Sequence, residues 1–415
     1  MNSLIISPNV VTTNPSLNTL LNKSTGERFE VNADILKVLK KFQSPTDPSI
    51  VAQALAQNNN NEKYRAILKF IEDMIEMGLL IENDSLIQQS AISHHNFIEM
   101  AIVERPMFTM FACPSHDLSN LDGLDIVFMG STFDQGTTGF PGARFAADKL
   151  RELSAQAFEY HANPISGGSL GWFSHEVSRN ILVGAKLGDI GNVLQHIGES
   201  YDVYFDRLEL VVRQILNAGA FPVILGGDHS ISYPAIKAYE RKQQLGLLHI
   251  DAHTDFGALQ DGVPNNHGNV FTRVLREGLL ENIHQFGIRS FAGKSPEIHV
   301  PYYLTSTKDI RENSKLQAAI QRIDQKFRYH LSLDIDSIDP AFAPGTGTPI
   351  PNGLTPSELM TLTSCICEHS TLVGLDIVEV NPMTDLNDKT AHLAIEVIAH
   401  ILGEMWHSRS EKKPL

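Results

Sequence analysis

Gly246-Leu-Leu-His-Ile-Asp251-Ala-His253-Thr-Asp255 is an apolar run that ends in a cluster of metal-binding side chains. Further along, Tyr329-His-Leu-Ser-Leu-Asp334-Ile-Asp336 repeats the arrangement, and Gly226-Gly-Asp-His229-Ser230 precedes both. Short runs this rich in Leu and Ile read as buried strands. Residues two apart on an extended chain point to one side. Asp251, His253 and Asp255 are therefore expected to converge on one pocket, with Asp334 and Asp336 facing them. Two imidazoles and four carboxylates are too many for one ordinary ion and suit a pair of bridged divalent metals.

Outward from these clusters, apolar strands alternate with helical stretches. Ile126–Met129, Pro222–Leu225, Gly246–Ile250, Ile283–Ile288, Tyr329–Ile335 and Leu372–Ile377 read as strands; Tyr204–Asn217 and Ser357–Glu368 read as helices between them. This alternation predicts an α/β fold with a parallel sheet covered on both faces, in three layers. In such sheets ligands bind outside the carboxyl ends of the strands, where every candidate ligand falls. Gly345-Thr-Gly347 lacks the strand–turn–helix context of a dinucleotide site.

At 415 residues the chain is long enough for two domains, and 42% hydrophobic content supports a large core. A net charge of -15 repels a phosphate backbone, so nucleic acid is not an expected partner. Cys113, Cys365 and Cys367 are few and odd in number, which suits a reducing compartment without disulfides. No apolar run is long enough to span a membrane, and no basic stretch with an apolar core marks a signal peptide. The expectation is a soluble cytoplasmic protein with no membrane partner.

Residues 1–88 form a separate domain by pattern. Asn18–Val31 reads as a hairpin around Gly26. Helices follow at Ile35–Phe42, at Ile50–Leu55 after breaks at Pro45 and Pro48, and at Tyr64–Ile75, ended by Gly78. Leu79–Ile81 is a closing strand. A hairpin with three helices describes a small winged-helix-like domain. Over residues 1–90 there are eight Lys and Arg against ten Asp and Glu, unlike a DNA-reading winged helix. It suits either a packing and assembly appendage or a module that offers its hairpin edge to an incoming peptide strand. Residues 89–120 read as a connector, and 121–410 as the α/β catalytic domain.

Oxygen ligands with a minority of imidazoles and no thiolate favour manganese over zinc. Paired ions lower the pKa of a shared water, giving hydroxide near neutral pH. A single Asp after a strand often only caps a helix. The combination in this order, at strand ends, is a metal-site pattern.

The motifs resemble the ureohydrolases, the family of arginase and agmatinase. The resemblance spans residues 120–405. It rests on Gly226-Gly-Asp-His229-Ser, Asp251-Ala-His-Thr-Asp255, Ser332-Leu-Asp-Ile-Asp-Ser-Ile-Asp339-Pro, Pro344-Gly-Thr-Gly-Thr-Pro349 and Gly374-Leu-Asp-Ile-Val-Glu379-Val-Asn-Pro382, with Phe133–Thr137 and Pro141–Arg144 matching an early loop. It implies two Mn2+ in an arginase-like domain. His229, Asp251, Asp255 and Asp334 would hold one ion; Asp251, His253, Asp334 and Asp336 would hold the other. Glu379 would receive the substrate guanidinium. Bridging hydroxide would attack the guanidinium carbon, with Asp255 accepting its proton. His267, in Asn265-Asn-His-Gly268, would relay a proton to the leaving amine. Homo-oligomers are also implied.

Departures from the free-arginine pattern narrow the substrate. Asp255-Phe-Gly257 and Val263-Pro264 stand where that pattern carries Asn and Ser for the α-carboxylate. Gly287-Ile-Arg289 is followed by Ser290-Phe-Ala292, without the acidic residues for the α-amino group. The first 88 residues resemble PqqD-like leader-peptide recognition domains. Together these imply a peptide arginase: the leader of a ribosomally made precursor peptide binds residues 1–88, and arginines in its core become ornithine with release of urea. The alternative is a small-molecule ureohydrolase, an agmatinase or guanidino-acid hydrolase, with an assembly appendage. Further readings are a non-catalytic protein on the same fold and a metal-dependent amide hydrolase.

Overall fold

The computed structural model describes residues 4–6, 10–14, 19–22, 28–30, 33–42, 46–56, 61–76, 79–82, 102–240, 244–259, 265–291 and 298–412. The chain divides into two compact units, Met1–Ile98 and Glu99–Leu415.

In the first unit, β1 (Leu4–Ile6) pairs antiparallel with β5 (Leu80–Glu82). β2 (Val10–Asn14), β3 (Thr19–Asn22) and β4 (Arg28–Glu30) make a second antiparallel sheet in that order. The expected hairpin is the β3–β4 pair. β1 and β2 escaped the sequence reading because runs of three and five residues carry no usable period. Helices cover Ala33–Leu39, Pro48–Ala56 and Asn61–Glu76. Pro48 does not act as a breaker. It starts the second helix, where its fixed φ and missing N–H suit the first turn, and Asp47 caps Ser49 N at 2.7 Å. Val38, Phe42, Val51, Ile71, Met74 and Leu80 close a small core. Gly78 and the connector as far as residue 101 lie outside the described residues.

The second unit is built on a nine-stranded sheet. Its strands are β6 (Val103–Glu104), β7 (Ile126–Ser131), β10 (Leu187–Val193), β11 (Phe221–Leu225), β12 (Leu245–Ile250), β13 (Asn282–Ile288), β14 (Tyr302–Ser306), β15 (Arg328–Asp334) and β16 (Thr371–Val378). Their order is β14-β13-β12-β15-β16-β11-β7-β10-β6, parallel throughout except β6. β8 (Trp172–Ser174) and β9 (Arg179–Ile181) form a small hairpin outside this sheet. The central strands are buried along their length, which is why they read as continuous apolar runs. β10 was hidden by its Gly, Asp and Asn residues. Its Asp189 is buried in an ion pair with Arg151 at 2.8 Å, so polarity there marks a satisfied interior charge, not a loop.

Ile126 and Phe128 pack into one core with Leu150, Leu362 and Ile398 from helices Ala146–Ala157, Pro356–His369 and Lys389–Lys412. Ser131 points to the other face and bonds Tyr204 of helix Tyr201–Asn217 at 2.8 Å. Helices thus cover both faces, giving the expected three layers. No helix among the described residues is long and apolar enough to cross a membrane. The adjacent strands β12, β15, β16 and β11 end side by side. Every sequence-predicted metal ligand, and Glu379, lies at their carboxyl ends.

Candidate metal centre

β11 runs into Gly226 and Gly227, both at positive φ (76° and 84°). A side chain at Gly227 would come within 3.0 Å of Phe133 O, so the turn is closed by glycine. This turn delivers His229, whose Nδ1 lies 3.1 Å from Asp251 Oδ2, 2.9 Å from Asp255 Oδ2 and 3.3 Å from Asp334 Oδ2. A second convergence surrounds His253 Nδ1, 3.5 Å from Asp251 Oδ1 and 2.9 Å from Asp336 Oδ2. Asp251 spans the two with its two oxygens. The sequence-predicted ligands are thus brought together, with sharing by Asp251 visible. Asp334 contacts the first centre, and its other oxygen accepts Asp336 N at 2.7 Å.

The route to convergence differs from the extended-chain expectation. β15 ends at Asp334, and Ile335–Ser337 is a tight 3-10 turn capped by the Asp334 side chain. After Asp251 the chain bends, and Asp255 adopts φ 50°. Glu379 likewise sits at φ 62°. Left-handed conformations are costly for such residues and here fall on two of the predicted site positions.

Burial and the neighbouring charges of Asp336 and Asp251 hold the Asp334 carboxyl well above the usual range, and burial with Asp251 raises Asp336. Asp251 goes the other way. Burial opposes ionisation, but the neighbouring imidazoles of His249, His229 and His253 hold it well below the usual range. Burial would lower His253, yet Asp251 and Asp336 push it up to about 12. So much crowded negative charge calls for cations. His229 Nδ1 is fully buried among three carboxylate oxygens without the directionality of a hydrogen bond to any of them. That is how ligands around a common ion are arranged, so the residues fit a metal pair.

His267 is held at both nitrogens. Nδ1 lies 2.8 Å from Glu379 Oε1, and Nε2 receives Thr138 N at 3.0 Å and meets Thr138 Oγ1 at 2.7 Å. Burial would lower its pKa, but the hydrogen bond and charge of Glu379 lift it to about 9. The Thr138 N–H works against this second proton and assigns the ring's hydrogen to Nδ1. Glu379 Oε1 also accepts His229 N at 2.9 Å. With Oε1 holding two donors, Oε2 faces the Gly347 side, where a Cβ on Gly347 would lie 3.4 Å away.

Sequence reasoning missed the supports. Asp228 accepts Gly136 N at 2.6 Å and Ser230 N at 3.0 Å, pinning the early loop; burial and the Glu379 charge push its carboxyl up to about 7. Ser332 meets His229 Nε2 at 2.9 Å and donates to buried Asp376 at 2.6 Å. Ser332 sits two residues before Asp334 on β15, so side-chain alternation was the available signal. Of the substrate-side departures, Val263, Pro264 and Ala292 lie outside the described residues. Gly257 is described: a Cβ there would meet Gly268 O at 2.6 Å. Arg289 is occupied by carbonyls, including Asp336 O at 2.7 Å and Ile350 O at 2.6 Å.

Residues 124–403 match the arginase family. The human mitochondrial guanidino acid hydrolase is 37% identical over 295 residues, covering 68% of this chain and 78% of that protein. Mitochondrial agmatinase of Gallus gallus is 33% identical, covering 68% and 82%. The crystal structure of a hypothetical agmatinase from Burkholderia thailandensis superposes with TM-score 0.62 at 28% identity, over 74% of this chain and 92% of that one.

Proposed function

Since this chain belongs to the arginase family of metal-dependent guanidino hydrolases, we propose that it hydrolyses a small guanidino compound lacking free arginine's paired α charges. Agmatine and guanidino acids are the substrate class, as the names of its relatives suggest. The observation that carries this is Gly257, where no side chain fits against Gly268 O, so no group at that position holds an α-carboxylate.

His229, Asp251, His253, Asp255, Asp334 and Asp336 would hold two Mn2+. The ions supply the Lewis acidity that makes water nucleophilic near neutral pH. Glu379 Oε2 receives the guanidinium by a charge-assisted hydrogen bond. Asp255, whose Oδ2 lies 2.9 Å from His229 Nδ1, would take the proton of the attacking water. His267, beside Glu379, passes a proton to the departing nitrogen, so that urea and an amine leave.

The second reading is hydrolysis of arginine side chains in a ribosomally made precursor peptide. One observation favours it: Met1–Ile98 lies outside the matched span and has its own core and a β2-β3-β4 sheet whose edge strands pair with no further strand among the described residues, where a leader strand could add. In both readings the chain works as a homo-oligomer. Urea release by the manganese-loaded full chain from agmatine, a guanidino acid, free arginine and a precursor with or without its leader separates them. Turnover of small guanidines carries the first reading. Turnover confined to leader-bearing precursor carries the second. Efficient use of free arginine overturns both.

A further inference from the structure

His249 is fully buried and close enough to Asp251, Asp255 and His229 for their ligand atoms to lie within 4.8 Å of one another. Nothing in the motif pattern assigns it a role. Its hydrogen bonds decide what it does.

Three neighbouring strands carry one directed chain. Tyr302 on β14 donates to Gln285 Oε1 at 2.7 Å. Gln285 on β13 is fully buried and lies 2.8 Å from Thr254 O through Nε2. A carbonyl only accepts, so this contact and the Tyr302 bond fix which end of the Gln285 amide is nitrogen. The same Nε2 lies 2.8 Å from His249 Nδ1, and His249 pairs directly with Gln285 in the β12–β13 ladder. Gln285 can only donate there, so Nδ1 accepts and the ring hydrogen sits on Nε2. Nε2 lies 2.8 Å from Asp251 Oδ2. The Phe271 ring, 4.6 Å from the imidazole centroid, packs beside it.

We infer that His249 is a positioning residue for the metal pair, not a ligand. It donates Nε2–H to Asp251, the carboxylate between the two centres, and the Tyr302–Gln285 chain keeps that hydrogen in place. The inference rests on the proposed metal site. Its logic is that of donors behind metal ligands, whose removal weakens metal affinity without removing a ligand.

The test is manganese binding by the full chain, read as ions per chain and dissociation constant, with thermal unfolding of the metal-free proteins as the folding check. His249→Phe keeps the ring volume and removes the donor; it is expected to weaken manganese binding about 10–100-fold. His249→Gln keeps an N–H that reaches Asp251 and is expected to recover most of that affinity with two ions per chain. Gln285→Met leaves Asp251 untouched but frees the imidazole, and is expected to fall between wild type and His249→Phe. Loss of one ion in both His249 variants would make His249 a ligand and overturn the inference, as would wild-type affinity in His249→Phe. Failure of the wild type to bind two ions would instead overturn the metal site itself.

Discussion

His267 Nδ1 lies 2.8 Å from Glu379 Oε1, so the residue expected to move a proton is bound to the one expected to hold the guanidinium. Thr138 closes the other side of the ring. Substrate anchoring and proton delivery are therefore coupled through one carboxylate.

Glu379→Gln is expected to lower kcat/KM by about 100-fold or more, the loss of one strong charge-assisted hydrogen bond of ~3 kcal/mol. Manganese content should not change, because Glu379 lies outside both convergences. Kinetics together with metal analysis check this; kcat/KM within about tenfold of wild type would place the guanidinium elsewhere.

Gly257→Asn is not expected to create free-arginine hydrolysis. Its Cβ would press on Gly268 O at 2.6 Å and displace the turn that carries His267. Activity on the proposed small guanidines should fall, with circular dichroism confirming a folded chain. Gain of arginine turnover would show that the turn yields.

Chelation is expected to abolish activity and lower the unfolding temperature, with recovery on adding manganese. Without cations, burial and mutual repulsion raise the Asp334 and Asp336 carboxyls, so the empty site is the less stable one. Calorimetry with and without chelator reads the shift; equal unfolding temperatures would contradict it.

His284, stacked on Tyr303 at 4.8 Å and remote in role from the metals, has its pKa lowered from 6.5 to about 4, by burial and then by Arg322. A depressed histidine means the unfolded chain binds the extra proton first. Its stabilisation is complete above pH 6.5 and is lost as pH falls toward 4, amounting to about 3 kcal/mol at the lower end. His284→Phe should flatten that part of the stability–pH curve, measured by denaturant unfolding. A curve as steep as wild type would remove His284 as the cause.

Much of the site was legible because strand-end position is a local property. An apolar run followed by Asp251 or Asp334 announces both the strand and the place where it stops. The edge strand β14 and the polar β10 were not legible, since the first is partly exposed and the second takes its polarity from the buried Arg151–Asp189 pair. Alternation could have flagged Ser332 and His249, each two residues before a ligand, but what they, Asp228 and Asp376 hold was not legible, for a similar reason. Each has a partner on a distant segment (Gly136, Gln285, His229 and His330), and no spacing within one run reports such a contact.

By itself, the amino-acid sequence determined the parallel α/β architecture and pointed to the candidate metal-binding side chains, because periodicity and side-chain chemistry are written residue by residue; Glu379 and His267 came from the resemblance of the motifs that carry them. Only the tertiary structure decided how they act together. It turned Asp255 and Glu379 into left-handed conformations, put Asp251 between two imidazoles, barred a side chain at Gly257 and fixed the hydrogen on His249. Those outcomes depend on distances between segments far apart in the chain, which packing sets and local pattern does not.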